Sequence, residues 1–212
     1  MSREPTAPQG FSRRTFLKGV SAAAVSPSLL PVSAVSKDPA GRVLGPGPVP
    51  LSLTINGRRV QAMVEPRATL LDLLRNQLEL TGAKEACDLG ACGACTLEVG
   101  GKTVNACMVL ALDCEGAEIL TVEGLSDGEK LHPLQQSFVE ADALQCGYCT
   151  CGMLMSAHAC LAANPGAGSR EIREALAGNL CRCGTYPRVF EACEKAAHTM
   201  LRDAGARKGG KR

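Results

Sequence analysis

The chain has 212 residues, an apolar share of 45%, an aromatic share of 3% and a formal net charge of +2. That length and composition suit one or two modest folded domains and exclude a disordered or fibrous chain. Twelve cysteines stand against three histidines and no tryptophan, so cysteine carries the chemical information. The charge is not a nucleic-acid footprint, because the basic residues cluster at the two chain ends. Without residues 1–34, which hold four basic residues (Arg3, Arg13, Arg14, Lys18) and one acid (Glu4), the formal charge falls from +2 to −1.

In chain order, the segment S-R-R-T-F-L-K from Ser12 to Lys18, followed by a small-residue apolar run to Ala34, resembles a twin-arginine export signal. Val32-Ser33-Ala34 puts small residues before a cleavage point. Pro27 and Pro31 break the apolar run, which is too short to span a bilayer, so no stable membrane span is expected. Residues 1–34 are therefore predicted to direct a protein to the periplasm already folded, its cofactors inserted in the cytoplasm. Residues 35–50, rich in proline and glycine, read as linker.

Leu51, Leu53 and Ile55 alternate with polar residues up to Asn56-Gly57, and Val60, Ala62 and Val64 alternate again. This predicts a hairpin closed by a type I′ turn. Thr69-Leu-Leu-Asp72 has the form of a capping box, with a helical apolar face over Leu70, Leu74 and Leu78. Further strands are predicted at Thr96 to Val99, Val104 to Leu112 and Ile119 to Val122. From Leu131 the period becomes helical. Helices are predicted from His132-Pro133 to about Ala141, from Gly152 to Ala163 and from a Ser169 cap to Leu176, with a fourth opening at Pro187. In the last, Val189, Cys193, Ala196, Ala197 and Met200 form one apolar stripe. The expected domains are 51–128 and 129–202, with a basic tail at 203–212.

Twelve cysteines behind an export signal raise the prospect of disulfides, but the close pairs favour a metal centre. Cys87-x4-Cys92-x2-Cys95, with Cys107 further on, follows the plant-type ferredoxin pattern. The small residues between them, Gly90 and Gly93 above all, let backbone N–H groups approach the cluster sulfur. A zinc site usually shows two C-x2-C knuckles, and this set has one pair among unequal gaps. The second set, Cys146-x2-Cys149 and Cys181-x-Cys183, places each pair at a helix junction. On spacing alone, zinc is a serious rival there.

Three segments bear on the choice: K-E-A-C-D-L-G-A-C-G-A-C-T, Q-C-G-Y-C-T-C-G-M and G-N-L-C-R-C-G-T-Y. Together they closely resemble the iron-sulfur subunit of the molybdenum hydroxylases, the xanthine dehydrogenase and aldehyde oxidoreductase family. The Cys-Arg-Cys-Gly-Thr-Tyr variant looks like the small subunits of isoquinoline and periplasmic aldehyde oxidoreductases. The resemblance covers residues 51 to about 200 and implies an α+β chain: a ferredoxin-like β-grasp domain followed by a four-helix bundle. It implies two 2Fe-2S clusters, an outer one on Cys87, Cys92, Cys95 and Cys107 and an inner one on Cys146, Cys149, Cys181 and Cys183. It further implies that Gln145 and Cys183 contact the molybdopterin cofactor of a large partner subunit.

One departure stands out. The family usually has Thr-Pro-Gly after the second inner cysteine, and this chain has Thr150-Cys151-Gly152. Cys151 becomes a rival ligand two residues from Cys149; Cys149 is the expected ligand, because Cys151 falls in the first helical turn and points elsewhere. Cys160 and Cys193 read as small buried hydrophobes and Cys114 as structural. His132, His158 and His198 are scattered, read as surface or capping residues, and give no support to a Rieske centre.

The chain has no phosphate-binding loop, dinucleotide fingerprint, nucleophile elbow or paired general acid and base. It holds electron carriers and no catalytic residue of its own. The expected function is an electron-transfer subunit, passing electrons from a partner's molybdopterin site to an acceptor such as a flavin subunit or a c-type cytochrome. The alternatives from other classes are a free-standing periplasmic ferredoxin and a zinc-bearing structural module.

Overall fold

A computed structural model describes residues 44–209, with side chains to residue 202. The expected signal at 1–34, most of the linker and the end of the tail lie outside the described residues. Strand β1 (Val49–Ile55) begins two residues before the alternation does and buries Leu51, Leu53 and Ile55. It pairs antiparallel with β2 (Arg58–Val64). Asn56 and Gly57 between them have φ of 49° and 75°, the left-handed pair that a type I′ turn requires. The side chain of Asn56 then reaches Thr121, donating from Nδ2 to Oγ1 and accepting from N–H, both at 2.9 Å.

Thr69 caps helix α1 (Leu70–Asp72) with the predicted box: its Oγ1 accepts from Asp72 N–H and its own N–H donates to the Asp72 carboxylate. The helix does not stay regular. It widens into a π-helical turn over Leu73–Gln77, which puts Leu70, Leu71, Leu73 and Leu74 all in the core. Each buried leucine stabilises the fold by about 1.5–3 kcal/mol, enough to outweigh the poorer turn. Arg75 then donates to the carbonyls of Thr81 (3.0 Å) and Ala83 (2.9 Å) and so steers the chain into the cysteine loop.

Strands β3 (Thr96–Val99), β4 (Lys102–Asn105) and β5 (Glu118–Leu120) complete a five-stranded sheet in the order β2-β1-β5-β3-β4. Among the described residues only β1 and β5 run parallel. The strand predicted over Val104 to Leu112 ends at Asn105, and 3-10 turns follow at Ala106–Met108 and Ala111–Cys114. The backbone there pairs with the start of α1 instead: Leu70 N–H donates to Val109 O (2.8 Å) and Ala111 N–H to Ala68 O (2.9 Å). That turn carries Ala106, Cys107, Ala111 and Cys114 into the core, whereas a continued strand would have kept Cys107 away from the other thiols.

Four helices follow: α2 (Pro133–Glu140), α3 (Thr150–Ala163), α4 (Ser169–Ala175) and α5 (Tyr186–Gly209). His132 caps α2, its Nδ1 accepting from Leu134 N–H at 3.2 Å. The cap of α4 is Gly168 and not Ser169; Gly168 N–H donates to the Glu171 carboxylate at 2.8 Å. The predicted stripe of α5 is buried at Val189, Cys193, Ala196 and Ala197, and the helix backbone runs on to Gly209 in the basic tail.

Helix α3 is buried from Gly152 to Ala157 without a break, the signature of a helix covered on every side. It packs on β3 with one face and on α2 and α4 with others. Sheet and helices thus form one compact unit, with α3 at their junction.

Candidate metal centres

The first cysteine loop is shaped by three left-handed residues, Asp88, Gly90 and Gly93. Such turns aim successive N–H groups into one concavity suited to anionic sulfur. Leu89 N–H points at Cys87 Sγ (3.4 Å) and Gly90 N–H at Cys107 Sγ (3.3 Å). Glycine suits the second of these positions, where φ is 67° and a Cβ would displace the exposed Met108 side chain, 2.7 Å away at Cγ. The 3-10 turn after β4 brings Cys107, buried, to Cys95, also buried, while Cys87 and Cys92 are half-buried.

The thiols contact one another in pairs. The Cys92 thiol acts on Cys87 and the Cys107 thiol on Cys95. In the second set the Cys181 thiol acts on Cys149, and Cys183 lies 3.5 Å from Cys146. Cys146 and Cys183 are exposed, Cys149 and Cys181 half-buried. The Leu89 N–H, then the Cys92 thiol, lower Cys87 to about 7. Burial pushes Cys95 up to about 11 and, with the Cys181 thiol, Cys149 up to about 12. At Cys181 burial opposes ionisation, but hydrogen bonds from the Thr185 hydroxyl and backbone outweigh it and leave the thiol at about 7.

Among the described residues no three His, Cys, Asp or Glu side chains close on a point fit for one metal ion. The donors instead form two thiol pairs per set. A 2Fe-2S cluster takes four thiolates from the protein, two for each iron, so both sets have the composition that such a group needs.

The two loops also touch. Leu180 N–H donates to Cys92 O (2.9 Å), Asn179 Nδ2 donates to Gly93 O (2.9 Å), and the Tyr148 hydroxyl donates to Glu85 O. Between them lies a cavity of about 440 Å³ lined in part by Cys92, Cys149, Cys181, Tyr148 and Tyr186.

Comparison with known proteins agrees with this division. Residues 53–121 match the 2Fe-2S iron-sulfur cluster binding domain and residues 121–194 the [2Fe-2S] binding domain. The aldehyde oxidoreductase iron-sulfur-binding subunit PaoA of Escherichia coli K12 is 40% identical over 202 residues, 88% of each chain. The nicotine 6-hydroxylase small subunit of Paenarthrobacter nicotinovorans is 50% identical over 68% of this chain and 87% of its own. Quinoline 2-oxidoreductase from Pseudomonas putida 86 superposes with a TM-score of 0.71 at 46% identity, over 74% of this chain and 98% of that one. The chain belongs to the 2Fe-2S small subunits of the molybdenum hydroxylases.

Within this small subunit Cys151 stands apart from the second set. Burial raises its thiol, and its charged neighbours are Lys84 and Glu123, not the other cysteines. Cys114 and Cys193 are buried, as expected of structural residues, whereas Cys160 is only half-buried. Gln145 is exposed and shares a cavity of about 220 Å³ with Gly184 and Thr185, next to Cys183.

The histidines are not all scattered. His132 and His158 meet edge to face at 5.4 Å, and His158 Nδ1 lies 2.6 Å from Glu98 Oε1 on β3; His198 is exposed. Sequence reasoning missed that pair, and it missed Asn179, Thr185 and Tyr186. The last three sit inside the G-N-L-C-R-C-G-T-Y segment, so the signal was the motif itself. Thr185 and Tyr186 bond within it, to Cys181 and Asn179, whereas Asn179 reaches Gly93 and Thr96 in another part of the chain.

Proposed function

We propose that Cys87, Cys92, Cys95 and Cys107 hold an outer 2Fe-2S cluster and that Cys146, Cys149, Cys181 and Cys183 hold an inner one. The chain then passes electrons from a molybdopterin site in a large partner subunit to an external acceptor. The observation that carries this reading is the unequal exposure of the two sets. Cys95 and Cys107 are sealed in the core, whereas Cys146 and Cys183 lie at the surface beside Leu180, Tyr148 and Leu144, which are 56%, 46% and 36% exposed. Apolar side chains around exposed thiols suit burial by a second chain. Gln145 and Cys183, on that same surface, are the residues assigned to the partner's pterin.

Bound clusters supply one-electron carriers. The protein's own residues do the rest. The N–H groups of Leu89 and Gly90 offset thiolate charge in the first loop, and the Thr185 hydroxyl, 3.2 Å from Cys181 Sγ, does so in the second. Arg75 anchors the approach to the first loop. Residues 51–128 are taken as a β-grasp domain, on the support of the parallel β1–β5 pair. Residues 129–202 are taken as a four-helix bundle, on the support of α2 packing on α5 and α4 packing on α3 and α5.

The remaining assignments come from the sequence. Residues 1–34 form a twin-arginine signal, 35–50 a linker and 203–212 a basic tail. The protein acquires its clusters in the cytoplasm and works in the periplasm, where a c-type cytochrome or a flavin subunit accepts the electrons. Among the described residues no helix is long and apolar enough to cross a membrane. The relatives' names point to an aldehyde or an N-heteroaromatic substrate for the complex.

Purification from the native host tests this. About four irons and four sulfides per chain are expected, with molybdenum in a co-purifying large subunit and the complex in the periplasmic fraction. A protein recovered with zinc alone, or without molybdenum, would sink the reading.

A further inference from the structure

Asn179 is 3% exposed and lies between the two cysteine loops. Its Nδ2 donates to Gly93 O at 2.9 Å and lies 3.4 Å from Thr96 Oγ1, which itself donates to Gly93 O at 2.7 Å. Asn105 extends the polar chain, donating from Nδ2 to Gly90 O at 3.0 Å. Gly90 is the residue whose N–H points at Cys107 Sγ. In the other direction Asn179 O accepts from the Tyr186 hydroxyl (3.4 Å), which in turn accepts from Cys181 N–H at 2.7 Å. A continuous run of hydrogen bonds therefore joins the backbone beside one thiol set to the backbone of the other.

The same point tolerates no added atoms. A Cβ on Gly93 would lie 2.5 Å from Gly178 O and 2.6 Å from Asn179 Nδ2, and one on Gly152 would lie 2.0 Å from Gly93 O. With both side chains absent, the backbones come close enough for Leu180 N–H to reach Cys92 O. Leu180 adjoins Cys181, so a single hydrogen bond and one peptide unit separate a residue of each set. A buried amide that only filled space could be exchanged for an apolar group of the same shape. Asn179 instead donates across to a carbonyl of the other loop, Gly93 O, which from its own loop is bonded by the Thr96 hydroxyl and N–H.

We propose that Asn179 is a positioning residue: acting through Gly93 and Leu180, it fixes the separation of the two cluster loops and with it the electronic contact between the clusters. This rests on the two-cluster reading above. Thr96 is its second support at Gly93 O.

The test uses the complete complex, reduced and frozen, with paramagnetic resonance reading the magnetic interaction between the two clusters and iron and sulfide assayed on each sample. Asn179→Ala is expected to keep about four irons per chain and to lose the splitting that the interaction produces. Ile172→Val, a core change in α4, is expected to lower Tm and leave the splitting intact. Wild-type splitting in Asn179→Ala, with only Tm lowered, would overturn the assignment. Where Asn179→Ala does not retain both clusters, Thr96→Val decides: diminished splitting supports the role and unchanged splitting overturns it. An unmodified complex with iron for fewer than two clusters would instead remove the reading on which the proposal rests.

Discussion

His158 on α3 and Glu98 on β3 face each other across the junction of helices and sheet, Nδ1 to Oε1 at 2.6 Å, with side chains 19% and 11% exposed. Removing one partner of such a pair leaves the other buried without its counterpart, a loss of about 3 kcal/mol. Glu98→Ala is expected to cost about that much, and Glu98→Gln, which keeps a hydrogen bond, about 1 kcal/mol. Denaturant unfolding of the two variants checks the order. Equal costs would mean that the hydrogen bond kept by glutamine contributes nothing and the charge carries the whole effect.

His132, next to that pair, gives an acid dependence. Burial and, secondarily, His158 hold its pKa below the ordinary value, and its Nδ1 must stay unprotonated to cap α2. The neutral form therefore belongs to the fold. The contribution is fully present above the unfolded pKa of about 6.5 and is lost as pH falls from there toward the lower folded value. In His132→Asn, which caps through an oxygen, the decline in Tm over that window should be shallower than in the unmodified chain.

Gly152→Ala pits two effects against each other. Alanine is the better helix former by about 1 kcal/mol, yet its Cβ would lie 2.0 Å from Gly93 O, a backbone atom that cannot swing aside. The clash should win, with a net loss of about 1–3 kcal/mol and wider spacing of the cysteine loops. A Tm at or above the unmodified value would show that the loops separate freely.

Cys149 and Cys151 should behave differently on substitution. Cys149→Ala removes a thiol in contact with Cys181 and is expected to cost the inner cluster, halving iron and sulfide. Cys151→Ala changes a half-buried thiol next to Lys84 and Glu123 and should leave both at about four per chain. Iron lost from Cys151→Ala and kept by Cys149→Ala would transfer the ligand role.

Thr185 is buried and its hydroxyl lies 3.2 Å from Cys181 Sγ. Hydrogen bonds to cluster sulfur favour the reduced, more negative state. A redox titration of Thr185→Val should find the potential of one cluster lowered and that of the other unmoved. A shift shared by both clusters would argue for a general loosening instead.

The amino-acid sequence by itself determined what is local. The hairpin turn at Asn56-Gly57, the capping box at Thr69, the stop of α3 at Asn164 and the close cysteine pairs 92/95, 146/149 and 181/183 depend on residues a few positions apart. Short-range backbone sterics, capping and loop spacing settle such features. Tertiary structure decided the rest. The run Val104 to Leu112 has a strand's composition, but pairing with the start of α1 and burial of Cys107 bend it out of the sheet. Nothing in its own pattern registers that competition. Glu98 and His158 are 60 positions apart and Gly93 and Asn179 are 86 apart. Hydrogen bonds of that reach exist only once the core of α3 has packed on β3, so no local pattern announces them.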